Sequence, residues 1–222
     1  MTTFDSSWSP TVRRIGDLER GDHYYLTDDD QCYFFGEYTA RAGYSHSSTN
    51  QIIANIKKKP SVRGTPQWQY KLKDMRRVAT AFRGAIRPEA LPTVTFVPIP
   101  PSKLRTHPEH DDRMAAIARA ISPHADVREL IIAATDRDPL HESECRLRPD
   151  QLAGCLQLDE TLCEPAPTRI FLLDDVITTG CSFRTCRQML EARFPGVLVG
   201  GLFAARRVID HAADFADFDI DL

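Results

Sequence analysis

The sequence predicts a doubly wound α/β fold, in which helices cover both faces of a parallel sheet. From residue 94 onward, apolar runs of strand length alternate with amphipathic helical patterns, as is typical of sheets built from βαβ units. The apolar run at 170–173 ends abruptly in two carboxylates and a polar turn. Ligands of such sheets bind beyond the carboxyl ends of the strands, so the polar segments that follow the strands are the first candidates for a functional site.

The first ninety residues carry a different pattern. Residues 1–22 predict a loose lead-in. Strand-like runs at 24–26 and 32–35 are separated by a turn rich in aspartate. A helix is expected to begin near Gln51, and a longer amphipathic helix at 69–86 has apolar positions at spacings near 3.6 with basic residues outward.

The remaining residues supply the repeated strands and helices. We expect strands at 94–99, 127–133, 170–173 and 197–204, and helices from Asp111 or Asp112 to Ile121 and over 182–192. Residues 134–151 are rich in Asp, Arg and Pro, which predicts a long loop. Loops of this length are usually functional or disordered.

Composition excludes several classes of protein. No apolar run approaches the roughly 20 residues of a membrane helix, and the N-terminal residues lack the basic and apolar regions of a secretory signal. The six cysteines form no Cys-x-x-Cys pair and fit neither a disulfide framework nor a zinc site. We therefore expect a cytoplasmic protein with reduced thiols and no membrane association.

Charge is distributed unevenly around a net value of −3. Residues 57–87 hold ten basic residues and one acid, whereas the tail from residue 210 holds five aspartates and no Lys or Arg. The basic segment allows a nucleic-acid surface. The simpler interpretation is a solvated basic face beside an anionic-ligand site.

Residues 169–182 are the most informative stretch of the chain. An apolar strand leads to Asp174 and Asp175, then to a turn and a helix. Turn amides, hydroxyls and a helix N-terminus together make a phosphate cradle, and carboxylates at a strand end can accept hydrogen bonds from sugar hydroxyls. The pattern indicates a ribose 5-phosphate site; the alternative is an ordinary strand–turn–helix with solvated acids. The turn residues are Thr178, Thr179, Gly180, Cys181 and Ser182.

This stretch resembles the 5-phosphoribosyl 1-pyrophosphate (PRPP) motif of type I phosphoribosyltransferases. It departs from that motif at Cys181, where Ala or Gly is usual. The resemblance implies that residues 178–182 hold the 5-phosphate and that Asp174 and Asp175 hold the ribose hydroxyls, with one of the two able to reach Mg²⁺. Most of the Mg²⁺ coordination is expected from substrate oxygens and water, and no dedicated protein metal site is expected.

A second segment, Val-Pro-Ile-Pro-Pro-Ser-Lys-Leu-Arg at 97–105, is most similar to the ComF-like group of that family. The resemblance implies that Ser102, Lys103 and Arg105 bind pyrophosphate. Residues 106–112 depart from the group's Arg-Gly-x-Asn-Gln element, so the contacts of that element are in doubt.

The loop at 134–151 also has a counterpart in the ComF-like group. It corresponds to a mobile loop that folds over the reaction centre, with Arg146 and Arg148 as its candidate cations. Gln151 replaces the group's usual Asn.

The resemblance divides the chain into a lead-in at 1–22, a hood subdomain that selects the acceptor at 23–90, a phosphoribosyltransferase-like core at 91–208 and an acidic tail at 209–222. It implies a Mg²⁺-dependent transferase that uses PRPP and an unidentified nitrogen acceptor, and it is compatible with a homodimer. The rival is a non-catalytic ComF-like module that senses nucleotides or associates with nucleic acid through 57–87. A phosphatase is disfavoured because Asp-x-Asp is missing.

Overall fold

The computed structural model describes residues 8–137 and 147–209. Eight strands lie in this part of the chain: β1 Arg13–Arg14, β2 Gln31–Thr39, β3 Thr95–Pro98, β4 Asp126–Val127, β5 Ile131–Ala133, β6 Leu156–Leu158, β7 Arg169–Ile177 and β8 Leu198–Val208. Its α-helices are α1 Asp17–Arg20, α2 Ser48–Ile56, α3 Pro66–Gly84, α4 Arg113–Arg119, α5 Pro149–Ala153 and α6 Cys181–Arg193.

Six strands form the central sheet, in the order β1-β2-β8-β7-β3-β4. All neighbours pair in parallel except β1, which is antiparallel to β2 at one edge. The apolar side chains of α2, α3 and α4 belong to one core cluster and those of α6 to another, so helices cover both faces of the sheet. The predicted α/β class with a mainly parallel sheet is confirmed.

Strand β2 lies in the range predicted as the hood, yet it is part of the central sheet. It runs parallel to β8 from the pair Gln31 and Gly200 to the pair Thr39 and Val208. The strand predicted at 32–35 is therefore present and longer than expected, because the sheet continues its hydrogen-bond ladder beyond the apolar run.

Two of the predicted strands are wrong. Residues 24–26 form a turn, in which Leu26 N–H donates to the His23 carbonyl, and Tyr25 N–H donates to the Thr179 carbonyl. The strand predicted at 127–133 is divided between β4 of the central sheet and β5, which pairs with β6 in a separate antiparallel ribbon. The two strands are separated at Arg128, whose guanidinium donates hydrogen bonds to the Asp126 carboxylate and to the Leu162 carbonyl.

The helix predicted at 69–86 is α3, and its basic residues do not all face outward. Lys71 is 1% exposed, because its ammonium group reaches the carbonyl of Lys58 and the carboxylate of Asp111. The outward orientation predicted for the basic residues is thus wrong for Lys71, because Asp111 and the Lys58 carbonyl provide partners for its charge inside the protein.

The remaining helix predictions agree with α2, α4 and α6 to within a few residues. Ser47 caps α2 by accepting a hydrogen bond from the Asn50 amide at 3.1 Å. Within the described residues, no helix combines the length and apolar character needed to cross a membrane. The loop predicted at 134–151 falls partly outside the described residues, and its last part forms the start of α5.

Candidate functional site

A cleft of about 1010 Å³ opens at the carboxyl ends of β3, β7, β8 and β2. It brings together seven of the residues that the sequence nominates from two separate segments: Ser102, Lys103, Arg105, Asp174, Asp175, Thr178 and Ser182. Strands β3 and β7 are neighbours that run in parallel, so the segments that follow them meet at the same edge of the sheet.

Asp175 is buried at the floor of this cleft between two cations. Arg113, at the start of α4, donates to Asp175 Oδ2 from Nε at 2.9 Å and from the terminal nitrogen at 2.6 Å. Lys57 Nζ lies 3.4 Å from Asp175 Oδ1. Burial acts to lower the pKa of Arg113, but Asp175 and Asp111 raise it above its usual value. Asp175 is therefore paired with two cations and fixed in orientation.

Asp174 lines the cleft from the same strand and has a different electrostatic setting. Its Oδ1 accepts a hydrogen bond from the Asp175 amide at 2.8 Å. Burial, together with the negative charge of Asp175, raises the pKa of Asp174 to about 7. Asp174 thus has a raised pKa beside a carboxylate, Asp175, that is paired with Arg113 and Lys57.

A chain of buried and partly exposed charges connects the cleft to the interior of the protein. Asp111 accepts from Lys71 Nζ at 2.8 Å and from Arg113 at 2.9 Å, and Arg113 in turn holds Asp175. Burial lowers the pKa of Lys71, while the Asp111 carboxylate opposes that shift. The network, defined as Lys71, Asp111, Arg113, Asp175 and Lys57, ties α2, α3 and α4 to the end of β7.

The turn between β7 and α6 has one side on the cleft and the other against residues 23–26. Thr178 and Ser182 line the cleft, whereas Thr179, Gly180 and Cys181 do not. His23 Nδ1 donates to the Thr178 carbonyl, and the Tyr25 amide donates to the Thr179 carbonyl at 3.0 Å. Burial lowers the pKa of His23.

These bonds determine which way the turn amides point. The C=O and N–H groups of a trans peptide point in opposite directions. Because the Thr178 and Thr179 carbonyls face residues 23–26, the amides of Thr179 and Gly180 point away from that segment. Gly180 has φ +84, a left-handed conformation that glycine adopts without steric cost. Residues 23–26 therefore support the turn from behind.

The segment after β3 is held by a residue that sequence reasoning did not select for the site. Arg137 donates from its amide to the Ser102 carbonyl at 3.0 Å and from its guanidinium to the Pro101 carbonyl at 3.2 Å. Arg105 lies 3.2 Å from Glu129. Arg137 lies beside Lys103 in the cleft lining, and burial lowers its pKa.

Of the two predicted mobile-loop cations, the structure describes only Arg148. Arg146 lies outside the described residues. Arg148 is exposed at the start of α5, where its amide donates to Gln151 Oε1 at 2.9 Å, and it does not line the cleft. Across 8–137 and 147–209, no cluster of three or more His, Cys, Asp or Glu is arranged to hold a metal ion.

Arg113 is the clearest residue that sequence reasoning missed. It follows Asp111 and Asp112 directly, just after the stretch 106–112 that departs from the ComF-like pattern. Local sequence shows only a charged helix start there, and the partner acid lies 62 positions away along the chain. The sequence likewise gives no sign that Lys57 pairs with Asp175.

No protein-family model matches the chain, and no curated protein matches it either.

Proposed function

We propose that this protein is a Mg²⁺-dependent phosphoribosyltransferase that binds PRPP and transfers its phosphoribosyl group to a nitrogen nucleophile. The observation that carries the proposal is the meeting of three groups in one cleft. The cleft is lined by Asp174 and Asp175, by Thr178 and Ser182 of the turn, and by Ser102, Lys103 and Arg105. A sugar that carries a phosphate at one end and a pyrophosphate at the other needs these three groups in this arrangement.

Each group has a defined task in this mechanism. The amides of Thr179 and Gly180, with the hydroxyls of Thr178 and Ser182, hold the 5-phosphate. Asp175, fixed by Arg113 and Lys57, accepts hydrogen bonds from the ribose hydroxyls. Lys103 and Arg137 lie where the pyrophosphate leaves, so they stabilise the charge that develops on it.

The reaction is a displacement at C1 of the ribose. The acceptor nitrogen forms a bond to C1 as the bond from C1 to the pyrophosphate oxygen breaks, and the electron pair leaves with pyrophosphate. The nitrogen's proton passes to solvent. The protein contributes chiefly by positioning the two substrates and by stabilising charge.

The residues of the cleft suit a magnesium ion held mainly by substrate. Asp174 presents one carboxylate to the cleft, whereas Asp175 is already neutralised by two cations. Mg²⁺ commonly binds through one or two carboxylates together with substrate phosphates and water. Asp174 would thus be the protein ligand, and the ion would supply charge neutralisation for the pyrophosphate.

The test is calorimetric titration of PRPP with and without Mg²⁺. We expect binding that depends on Mg²⁺ in the wild type and is at least tenfold weaker in Asp174→Asn, which leaves the Asp175 ion pairs in place. Glu89→Gln, at an exposed position outside the cleft, is the matched control and should bind as the wild type does. Equal PRPP affinity in wild type and Asp174→Asn, with intact melting transitions, contradicts the proposal.

A non-catalytic module that binds the same nucleotide is the second candidate. Two features favour this non-catalytic module over a fully typical transferase. Residues 106–112 depart from the ComF-like pattern, and Asp175 is engaged by two cations. Release of pyrophosphate from PRPP, screened over nitrogenous bases, separates the two candidates. If PRPP binds but no base leads to release of pyrophosphate, the result supports the non-catalytic module.

A further inference from the structure

The acidic tail has no role in the proposed function. It follows β8 directly and lies outside the described residues. Its thirteen positions, 210–222, hold five aspartates and no Lys or Arg. Large apolar residues alternate with these acids: Phe215, Phe218, Ile220 and Leu222. A segment of this composition is suited to a surface that offers both cations and apolar side chains.

The outer face of α3 is such a surface. A groove of about 540 Å³ runs along it, and Tyr70, Leu72, Lys73 and Arg76 are among its lining residues. The ammonium group of Lys58 lies 6.0 Å from the ring centre of Tyr70 and 6.0 Å from that of Tyr44, which extends the surface to the residues after β2. We call this surface the aromatic–basic face, defined as Tyr44, Lys58, Tyr70, Leu72, Lys73 and Arg76.

The aromatic–basic face exposes an unusual share of apolar surface. Tyr44 is 51% exposed and Tyr70 is 56% exposed. Together with Leu72 they account for three of the six large apolar side chains that are exposed in the described part of the chain. Clustered exposed apolar groups, unlike scattered ones, mark sites of interaction.

The cations of this face differ from their neighbours in having no acidic partner. Lys59 pairs with Glu109, and Lys71 pairs with Asp111. Across 8–137 and 147–209, none of the three cations of the face takes part in an ion pair. The single acid of α3, Asp74, is buried and accepts a hydrogen bond from Asn55 at 2.6 Å. The face therefore carries positive charge that the described residues do not neutralise.

The acidic tail begins close to this face. Val208, at the end of β8, is the partner of Thr39 at the end of β2. Asn50 of α2 bonds both the amide and the carbonyl of Thr39, and it also donates to the carbonyl of Gly43 at 3.1 Å. Gly43 directly precedes Tyr44. A fully extended chain of the tail's length spans about 40 Å, so the tail is long enough to cross the face.

The cleft is a poorer partner for the tail, although it also contains cations. Arg105 and Arg113 are already paired with Glu129 and Asp175. Carboxylates repel a segment of five aspartates, and the cleft lining includes six of them: Glu109, Asp111, Asp112, Glu129, Asp174 and Asp175. The aromatic–basic face has none.

We propose that residues 210–222 dock on the aromatic–basic face of the same molecule. The tail aspartates pair with its three cations, and the tail phenylalanines pack on Tyr44 and Tyr70. A single exposed ion pair contributes little, so the contact depends on several pairs acting together with apolar burial. It weakens as salt screens the charges. Docking withdraws the exposed tyrosines and cations of this face from other molecules.

Proteolysis of the full chain tests the contact. Chymotrypsin cuts after aromatic residues, so cleavage after Phe215 and Phe218, followed by mass spectrometry, reports how accessible the tail is. We expect the double variant Lys73→Gln, Arg76→Gln to be cut at these positions at least fivefold faster than the wild type, although the cleaved sequence is the same. The double variant Arg14→Gln, Arg87→Gln removes two exposed charges outside the face and is the matched control, which should be cut at the wild-type rate.

Each other outcome of the digestion overturns the inference. Equal rates in all three proteins, or equal acceleration in the control, shows that the face does not protect the tail. Protection that rises with protein concentration shows that the tail docks on a second copy. Protection that is lost in Lys103→Gln but kept in Lys73→Gln, Arg76→Gln shows that the tail occupies the cleft. Melting transitions establish that the variants are folded.

A labelled peptide gives a second measurement that requires no substitution in α3. A fluorescein-labelled peptide of residues 210–222 is titrated into the wild type and into the full chain in which the five tail aspartates are replaced by Asn. We expect at least fivefold tighter binding to the replaced chain, because the wild-type tail already occupies the face. Equal binding to the two proteins, or binding to neither, overturns the inference.

Discussion

Lys71 shows how one buried charge can organise a site that it does not touch. Its ammonium group bonds the Lys58 carbonyl at 2.7 Å and both oxygens of Asp111 at 2.8 Å. Asp111 then holds Arg113, which holds Asp175. Removing one partner from a buried ion pair leaves an uncompensated charge and is strongly destabilising, so the position of Asp175 depends on a residue of α3.

We expect Lys71→Met to lower the free energy of unfolding by about 3 kcal/mol, because Asp111 and the Lys58 carbonyl lose their buried partner. Urea unfolding measures the change. Lys73→Met, an exposed lysine two positions along the same helix, is the control and should change stability by less than about 0.5 kcal/mol. Similar midpoints for the two variants contradict the role assigned to Lys71.

Asp174 links the candidate site to the pH dependence of stability. Its pKa is about 7 in the folded protein, against an ordinary value of 3.8. Between these pH values the folded protein holds a proton that the unfolded chain has lost. The contribution of Asp174 to the free energy of unfolding therefore falls as pH rises from about 4 to about 7.

Asp174→Asn should remove this dependence. We expect the variant to be more stable than the wild type by about 1 kcal/mol at pH 8, with a smaller difference at pH 5, where the wild-type carboxyl is protonated in the folded state. Urea unfolding at the two pH values checks the prediction, with Glu89→Gln as the control. If Asp174→Asn raises the free energy of unfolding equally at pH 5 and pH 8, the charge of Asp174 is not the cause of the stability change.

At the scale of elements, the β7–α6 turn is supported by the segment that precedes β2. A Cβ at Gly180 would lie 2.9 Å from Leu26 Cγ and Cδ2, so glycine is required there both by backbone conformation and by close approach. Gly196 has the same backbone conformation, with φ +85, but a Cβ there would meet open space. Comparing substitutions at the two glycines therefore separates the stability cost of the left-handed backbone from the stability cost of close packing.

We expect Gly196→Ala to cost about 1 kcal/mol of stability for the left-handed backbone alone. Gly180→Ala should cost about 2–4 kcal/mol, because overpacking against Leu26 adds to the same backbone cost. In a Leu26→Ala background the further cost of Gly180→Ala should fall toward that of Gly196→Ala. Urea unfolding of the single and double variants gives these stability costs. If the costs of Gly180→Ala and Leu26→Ala simply add in the double variant, the result argues against a packing contact between the two residues.

At the scale of the whole molecule, the basic segment 57–87 is divided between different environments. Lys71 is buried, and Lys57 and Lys59 line the cleft. Exposed basic residues remain on the outer face of α3, among them Lys73, Arg76 and Arg77. The cations of this segment thus do not form one uninterrupted surface for a polyanion.

We expect single-stranded and duplex DNA to bind more weakly than about 1 µM at physiological salt, with an affinity that falls steeply as salt rises. Fluorescence anisotropy across a salt series, with and without PRPP, measures this. The triple variant Lys73→Gln, Arg76→Gln, Arg77→Gln should leave PRPP binding unchanged. Sub-micromolar DNA binding that is indifferent to PRPP and lost in the triple variant favours the nucleic-acid rival.

The sequence by itself determined the features that depend on neighbouring residues. The alternation of apolar runs and helical patterns predicted the α/β class, and most helix positions agree with it. The run from strand to Asp174, Asp175 and turn placed the candidate site at the end of β7, and the segment after β3 was predicted to face it. These inferences hold because strand and helix periodicity, and the chemistry of a turn, are local properties.

Only the tertiary structure decided the partners of those residues. The pairing of Asp175 with Arg113 and Lys57, the burial of Lys71, and the support of the turn by residues 23–26 all join segments far apart in the chain. A charged residue looks the same in sequence whether it faces water or an internal acid. Its role is settled by the balance between desolvation and pairing, which depends on the contacts that the fold creates.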